Sequence, residues 1–312
     1  MVYDMFFKTR SEPLKLKIFK SLNARDELVE KDENYYRSLQ KGYEGEKIFD
    51  KWLEAEGLPS NFPILNDLLF EVNNTKFQID SSLISSNTLY FFEVKNFDGD
   101  YVIKGDQWYS LSGTEIKNPL HQLKRSETLF RKLLQEFGFN LQVKAYLVFV
   151  NPDFLLYQAP LKEPIIFPSQ LKRFLGKLNT NTLPLRNRHS KLPEKLLDNH
   201  LIESPYSQLP TYSYEKLEKG ILCGSCNSFL RRESSKEKIL ICHNCGSGES
   251  IESAVLRSIE EYQNLFPNEK LTTNVIYEWC KIIESKKTVW RILSANFKQI
   301  GNCRATYYVK KD

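Results

Sequence analysis

Three residues in the first third of the chain have types and a spacing that point to chemistry. Asp80 follows Gln78-Ile79, and after twelve intervening residues Glu93-Val94-Lys95 closes the apolar run Leu89-Tyr90-Phe91-Phe92. Such a run predicts a buried strand. Alternation along it puts Glu93 and Lys95 on one face and Val94 on the other. Two carboxylates and an ammonium would then converge at one sheet end. Carboxylate oxygens suit a hard cation such as Mg²⁺, to which the Val94 carbonyl can add a ligand. A cation beside an activated water is what phosphodiester cleavage needs. Lys95 would orient the water and offset transition-state charge. The pattern D-x12-E-x-K by itself fits an ordinary Glu–Lys pair on a surface strand equally well.

Two flanking residues change that balance. Glu46 lies on a preceding helical stretch and can reach the same cation. Gln122, in Asn118-Pro119-Leu120-His121-Gln122, falls in the first turn of a following helix. A helix N-terminus favours an anion such as a phosphate, and an amide there can bind a phosphate oxygen or a water. The bland alternatives are a solvated helix residue and a helix cap.

A second constellation is Cys223-Gly-Ser-Cys226 … Cys242-His-Asn-Cys245, with fifteen residues between the pairs. This spacing predicts a structural Zn²⁺ site of four thiolates, closed to catalysis because no coordination position stays open. Gly224 and Gly246 would supply the knuckle turns, and Phe229–Arg231 and Ile239–Ile241 the two strands of a ribbon. A ribbon can bind nucleic acid, bind protein or space domains. The other two cysteines, Cys280 and Cys303, read as core thiols.

The third constellation is the basic tail. From Lys286 onward there are seven basic residues against one acid, Asp312. Thr272-Thr273 and Ser285 predict two helix starts, and Arg304–Val309 a strand. Helix, turn, helix and a hairpin-like end suggest a winged helix-turn-helix. Lys286, Lys287, Thr288 and Arg291 would meet a major groove or its phosphates. Lys298, Arg304 and Lys310 complete the basic set, with Arg304 and Lys310 on the wing. A small helical packing module with a solvated basic face is the alternative.

The elements that must position the first site can be read from periodicity. Pro13 opens a helix with Leu14, Leu16, Ile18 and Phe19 apolar. A second helix over 36–57 carries Ile48, Phe49, Trp52 and Leu53 at helical spacing, and Gly42 and Gly45 inside it suggest close backbone approach. Strands are predicted over 67–72, 77–84 and 87–95, with Asn73-Asn74 turning between the first two. A hairpin turns at Lys104-Gly105-Asp106, a long helix runs from Asn118 to Glu136, and 142–150 is a buried strand. This order predicts an α/β domain with a mixed sheet. Eight of the thirteen prolines fall between 151 and 210, so that stretch reads as an irregular connection with two short helices. The predicted division is an N-terminal helical extension over 1–37, a catalytic domain over 38–155, a connecting region over 156–215, a zinc ribbon over 216–250 and a winged-helix-like module over 251–312.

The set Gly42-x-x-Gly45-Glu46, Gln78-Ile79-Asp80, Phe92-Glu93-Val94-Lys95-Asn96 and Asn118-Pro119-x-x-Gln122, in this order, resembles the nuclease-related domain, a member of the PD-(D/E)xK nuclease superfamily. The resemblance covers about residues 38–155. It implies a restriction-endonuclease-like core, with Glu46, Asp80, Glu93, Lys95 and Gln122 as the active-site set. Ile79 stands where the superfamily name has proline, a position that supplies shape rather than chemistry.

Whole-chain numbers set the outer bounds. The chain has 312 residues, 41% hydrophobic and 27% charged, with net charge +5 and pI about 8.7. That is an ordinary globular composition, basic enough to permit a nucleic-acid partner. No run of apolar residues is long enough to span a membrane, and the start lacks the features of a signal peptide. The expectation is a cytoplasmic, Mg²⁺- or Mn²⁺-dependent DNA endonuclease with structural Zn²⁺, acting on double-stranded DNA and compatible with a homodimer. The rival expectation is a non-catalytic nucleic-acid-binding regulator built on a vestigial nuclease fold.

Overall fold

The computed structural model of the protein describes residues 6–185, 189–202, 209–232 and 238–311; the side chain of Arg304 and all of Asp312 lie outside the described residues. The elements in chain order are α1 (Leu14–Arg25), α2 (Glu30–Ala55), α3 (Leu58–Asn61), β1 (Ile64–Val72), β2 (Thr75–Ile84), β3 (Thr88–Lys95), β4 (Gly99–Lys104), β5 (Gln107–Ser110), β6 (Glu115–Ile116), α4 (Pro119–Glu136), β7 (Gln142–Phe149), β8 (Phe154–Tyr157), β9 (Ile165–Ile166), α5 (Pro168–Asn181), α6 (Leu192–Asp198), β10 (Ile239–Ile241), β11 (Gly248–Ser250), α7 (Ile251–Leu265), α8 (Thr273–Cys280), α9 (Lys286–Asn296), β12 (Phe297–Ile300) and β13 (Tyr307–Lys310).

Two compact units emerge, and each is drawn from two separate stretches. Met1–Ser11 joins Ser38–Ser204 in the first, and Glu12–Arg37 joins Pro205–Asp312 in the second. The N-terminal 37 residues, read from sequence as one helical extension, are therefore shared between the units. Residues 156–204, read as part of a connection, bring β9, α5 and α6 into the first unit.

In the first unit a five-stranded sheet has the order β1-β2-β3-β7-β9. Asn73 and Asn74 both adopt left-handed backbone, φ 51° and 56°. That geometry closes a two-residue hairpin whose twist matches the flanking strands, so β1 and β2 pair antiparallel from Ile64↔Leu83 to Val72↔Thr75. β2 and β3 pair antiparallel as well, and β3 pairs parallel with β7 after the α4 crossover. This is a mixed α/β sheet flanked by helices.

Alternation in β3 divides the core. Leu89 and Phe91 join the α4 residues Leu123, Phe130 and Leu133 on one side. Tyr90, Phe92 and Val94 join Phe49 and Leu53 of α2 and Leu171 and Leu175 of α5 on the other. Ile48, read as apolar-face, is instead 37% exposed, and Phe49 and Leu53 carry the buried face of α2. A second sheet, β6-β5-β4-β8, packs through Trp108 and Phe154 on Phe149. α2 begins at Glu30, earlier than expected; Glu30, Asp32 and Glu33 in its first turn suit the positive end of the helix dipole.

The second unit holds α1 against α7–α9. Leu22 of α1 shares a core with Val255, Ile259, Trp279 and Leu293. Arg25 is its buried anchor: the guanidinium binds the Glu261 carboxylate at 2.9 and 2.7 Å, donates to the Glu218 and Gly220 carbonyls, and lies 4.0 Å from the Trp279 ring centroid. Thr272 and Ser285 cap α8 and α9 by accepting from Val275 N and Lys287 N. The C-terminal strand starts at Tyr307, and β12, whose first residue Phe297 helical spacing places at the end of the preceding helix, pairs antiparallel with it. Leu271 adds a bridge to Tyr308. Cys280 is buried as expected, whereas Cys303 is exposed, because it sits in the turn joining β12 to β13 and not in a strand.

Candidate functional site

The site begins where two strands part. The β2–β3 ladder runs from Ile84↔Leu89 to Ser81↔Phe92, and Asp80 and Glu93 are the next residues on each strand. Asp80 Oδ2 accepts from Val94 N at 2.8 Å, so a side chain continues the pairing that backbone carried up to Ser81. On the other side of β2, Asp67 stands between the pairs Asn66↔Ser81 and Leu68↔Ile79. Its left-handed backbone, φ 51°, reverses the alternation of β1. Leu65 before it and Leu68 after it both face the α4 side of the sheet. A local irregularity of this kind re-aims side chains.

Glu93 is 2% exposed and Asp80 8%. Glu93 Oε1 accepts from Lys95 Nζ at 2.7 Å and from Gln122 Nε2 at 2.6 Å. Gln122 is delivered by the start of α4. Asn118 caps that helix by accepting from Leu120 N, and its amide donates to the Asp106 carbonyl at 2.9 Å. His121 Nε2 is 2.8 Å from Asp106 Oδ2. The β4–β5 turn is thereby tied to the helix that carries Gln122.

α2 approaches over a glycine. A Cβ at Gly45 would lie 2.5 Å from Asn96 Cβ, closer than real Cβ contacts come, whereas one at Gly42 meets nothing within 4 Å. Asn96 also donates to the Lys41 carbonyl at 2.9 Å. Close approach is thus a property of Gly45 alone. It brings Glu46 and, one turn on, Asp50 over the β1–β2 pair.

Sequence reasoning missed what holds Glu46. Arg10, 3% exposed in its side chain, donates through Nη1 to Glu46 Oε2 at 2.7 Å and Asp67 Oδ1 at 2.5 Å. Its Nε and Nη2 reach the two Asp50 oxygens at 2.8 and 3.2 Å, and Nη2 reaches the Asp80 carbonyl at 2.8 Å. A parallel bridge, Lys8↔Leu65, and Lys8 Nζ bonds to the Asn66 and Asp67 carbonyls fix the segment that carries it. Of the expected set, Lys95 and Gln122 are joined directly to Glu93, Asp80 meets them through the Val94 amide, and Glu46 is joined to the Asp80 carbonyl through Arg10. Glu46–Asp50 at i,i+4 and Asp67 in an apolar strand were visible signals. Arg10 had none, because its partners are 36 to 70 residues away.

Burial raises the carboxyls. Burial first, then the Asp80 charge, pushes Glu46 to about 8 against the pull of Arg10. The same two causes push Glu93 to about 7 against Lys95. Burial raises Asp67 to about 6 although Arg10 opposes it. Burial disfavours the Lys95 ammonium, yet Glu93 and Asp80 outweigh it and its pKa is raised. Two buried carboxylates beside one ammonium leave uncompensated negative charge, and their oxygens are the donor set a small divalent cation takes. The residues fit such an ion.

Residues 41–150 match the family model of the nuclease-related domain. Gly45, Glu46, Asp80, Glu93, Lys95 and Gln122 all fall within the match. The nuclease-related domain has a nuclease-like α/β fold, in keeping with the mixed sheet described here. Arg10 and the four paired cysteines lie outside it. Comparison with curated proteins and with solved structures found no match.

The cysteines form a separate centre in the second unit. Cys223, Cys226, Cys242 and Cys245 have their sulfurs within 4.8 Å of one another. Cys223 Sγ is 3.7 Å from Cys245 Sγ, and Cys226 Sγ is 3.5 Å from Cys242 Sγ. Thiolates at about 2.3 Å from a tetrahedral zinc stand about 3.8 Å apart, so the cluster fits that ion and a zinc ribbon. Side-chain hydrogen bonds from Ser228 and Asn244 pull Cys226 down to about 5, while Cys242 is raised to about 11, its backbone hydrogen bond from Cys245 outweighed by burial and the neighbouring sulfurs. The two knuckles match: Asn227 N donates to Cys223 O, and Gly246 N to Cys242 O. The left-handed residues are Asn227 and Gly246, φ 58° and 75°, so the first turn uses Asn227 and not Gly224. The expected pairing of 229–231 with 239–241 is replaced by one hairpin per knuckle: Leu222 bridges Phe229, and β10 pairs with β11. Each cysteine pair closes its own short loop, leaving 229–231 to return to the first.

The basic tail keeps most of its side chains outward. Lys286, Lys287, Arg291, Lys298 and Lys310 are exposed and Thr288 is half-buried. Lys286 donates to Asn274 Oδ1 at 3.0 Å. Trp290 is 49% exposed between Lys287 and Arg291. Among the described residues no helix is long and apolar enough to cross a membrane.

Proposed function

We propose that the chain is a nuclease that hydrolyses phosphodiester bonds of DNA with Mg²⁺ or Mn²⁺, its second unit binding nucleic acid. The observation that carries this reading is the meeting of Asp80, Glu93, Lys95 and Gln122 at the fork between β2 and β3. Asp80 and Glu93 would hold the ion. When bound, it supplies Lewis-acid activation of the phosphate and of the attacking water. Lys95, kept protonated by its two acidic neighbours, acts as a donor and positive charge toward the phosphate rather than as a proton acceptor. Gln122 holds Glu93 in place, and its backbone position at the α4 N-terminus favours the negative phosphate. The four cysteines would hold a structural Zn²⁺.

In the second unit the order helix, Leu271 bridge, α8, α9 and β12–β13 hairpin supports a winged-helix-like module. Lys286, Lys287, Thr288 and Arg291 on α9 would face duplex DNA, with Lys298, Arg304 and Lys310 on the hairpin. The test is cleavage of plasmid and linear DNA with and without Mg²⁺. Wild type should cut only with the ion, and Asp80→Ala and Lys95→Ala should each lose about 10³-fold or more, the scale of losing a charged transition-state contact. A wild type that cuts nothing yet binds DNA, with binding lost in Lys287→Glu/Arg291→Glu, would instead make the chain a binding protein.

A further inference from the structure

The acidic groups of the first unit form two halves with different contents. One half is Asp80 and Glu93, with Lys95 at its edge. The other is Glu46, Asp50 and Asp67, and its centre is filled. A guanidinium has five N–H donors in one plane, and Arg10 has an acceptor for all five: Asp50 twice, Glu46, Asp67 and the Asp80 carbonyl. Its side chain is 3% exposed. Bidentate pairing to Asp50 fixes the plane, as arginine forks do with carboxylates. Asn66 Nδ2 donates to Asp50 Oδ1 at 3.1 Å and braces that pair. A second cation among these oxygens would meet a buried positive charge with its donors already committed.

We infer that Arg10 occupies the second cation position of this site, so that the centre takes a single divalent ion at Asp80 and Glu93 and Glu46 serves Arg10 instead of the ion. Arg10 is a positioning residue: it reaches the ion-holding half only through the Asp80 carbonyl. The segment around Lys8 and Arg10 is then part of the site although it lies outside the family match.

The inference rests on the proposed divalent-ion reading and is tested by counting Mn²⁺ bound to the full, zinc-loaded chain, by calorimetry and by electron paramagnetic resonance. Wild type should bind one Mn²⁺, lost in Asp80→Ala. Arg10→Ala should bind two, and Arg10→Lys one. Glu46→Gln should keep the single ion, with an affinity loss far smaller than that of Glu93→Gln, which decides the matter even where Arg10→Ala does not fold. Two ions in wild type, one ion in a folded Arg10→Ala, or loss of the ion in Glu46→Gln would overturn the inference while leaving metal-dependent cleavage standing. No ion in wild type would remove the divalent-ion reading and this inference together.

Discussion

The carboxylate centre and the thiolate centre are assembled in opposite ways. The four cysteines come from one stretch of 23 residues, Cys223 to Cys245, and meet through two like turns. The carboxylate centre draws on an N-terminal bridge, α2, β1, β2, β3 and α4, with members from Arg10 to Gln122. The thiolate cluster contains no cation among its ligand atoms, so it depends on its metal for charge balance. The carboxylate centre carries Arg10 and Lys95 as built-in cations and can keep its shape without an ion. A locally encoded centre is thus suited to making a fold, and a dispersed one to using a fold already made.

Metal removal is the strongest way to break this comparison. Stripping zinc withdraws a contribution of about 10 kcal/mol or more, the scale of structural zinc sites. Hydrogen exchange should then show lost protection in α7 and α8 and unchanged protection in β1–β3 and β7. Equal loss in both units would refute the contrast. Removing Mg²⁺ should cost activity and only a small part of the protection in the first unit.

Next in size is the close approach of α2. Gly45→Ala should destabilise by about 1–3 kcal/mol, the usual cost of overpacking, because its Cβ would collide with Asn96. Gly42→Ala, in open space on the same helix, should stabilise by about 0.5–1 kcal/mol. Urea denaturation of both variants distinguishes a site that needs this contact from a helix that merely passes it.

Gln122 gives a smaller effect. It donates to Glu93, a proposed ion ligand, so Gln122→Ala should reduce metal affinity or turnover about 10–100-fold, as loss of a ligand's supporting partner does. Its melting temperature should hardly move.

The last test sharpens the contrast by pH. Glu93 and Glu46 sit at about 7 and 8 against an ordinary 4.5. The native state therefore holds protons that the unfolded chain releases, and stability falls as pH rises from about 4.5 through 8. A divalent ion relieves that repulsion, so Mn²⁺ should raise the melting temperature of the first unit more at pH 8 than at pH 5. Zinc binding also weakens in acid, because protons compete for thiolates, but there acid should lower the stability of the second unit. A Mn²⁺ effect independent of pH would refute the account of the raised carboxyls.

Legibility in the sequence followed the same division. Cysteine spacing announced the thiolate cluster because its geometry is local; the first turn and the strand pairing were misread, Asn227 being able to take left-handed backbone as glycine does. The elements around Asp80 and Glu93 were legible from alternation in 77–84 and 87–95 and from Asn118-Pro119 before α4. Arg10 was not, since nothing near it in sequence says that five acceptors on four residues, 36 to 70 positions away, will close on it. The β12 strand was hidden because Phe297 continues the helical spacing of α9, and only its pairing with β13 decides otherwise.

The discontinuous build of the second unit bears on how the chain is made. Ile18 and Leu22 of α1 share a core with Val255, Ile259 and Trp279 in the finished protein, and Arg25 needs Glu261. All leave the ribosome before Pro205–Asp312, which completes their unit. Synthesis at about 5–20 residues per second leaves that helix waiting on the order of tens of seconds, while Ser38–Ser204 already has its own N-terminal piece at hand. During birth the nuclease-like unit can close first, and the early α1 face, sticky and unclaimed, is where a nascent-chain chaperone would be needed.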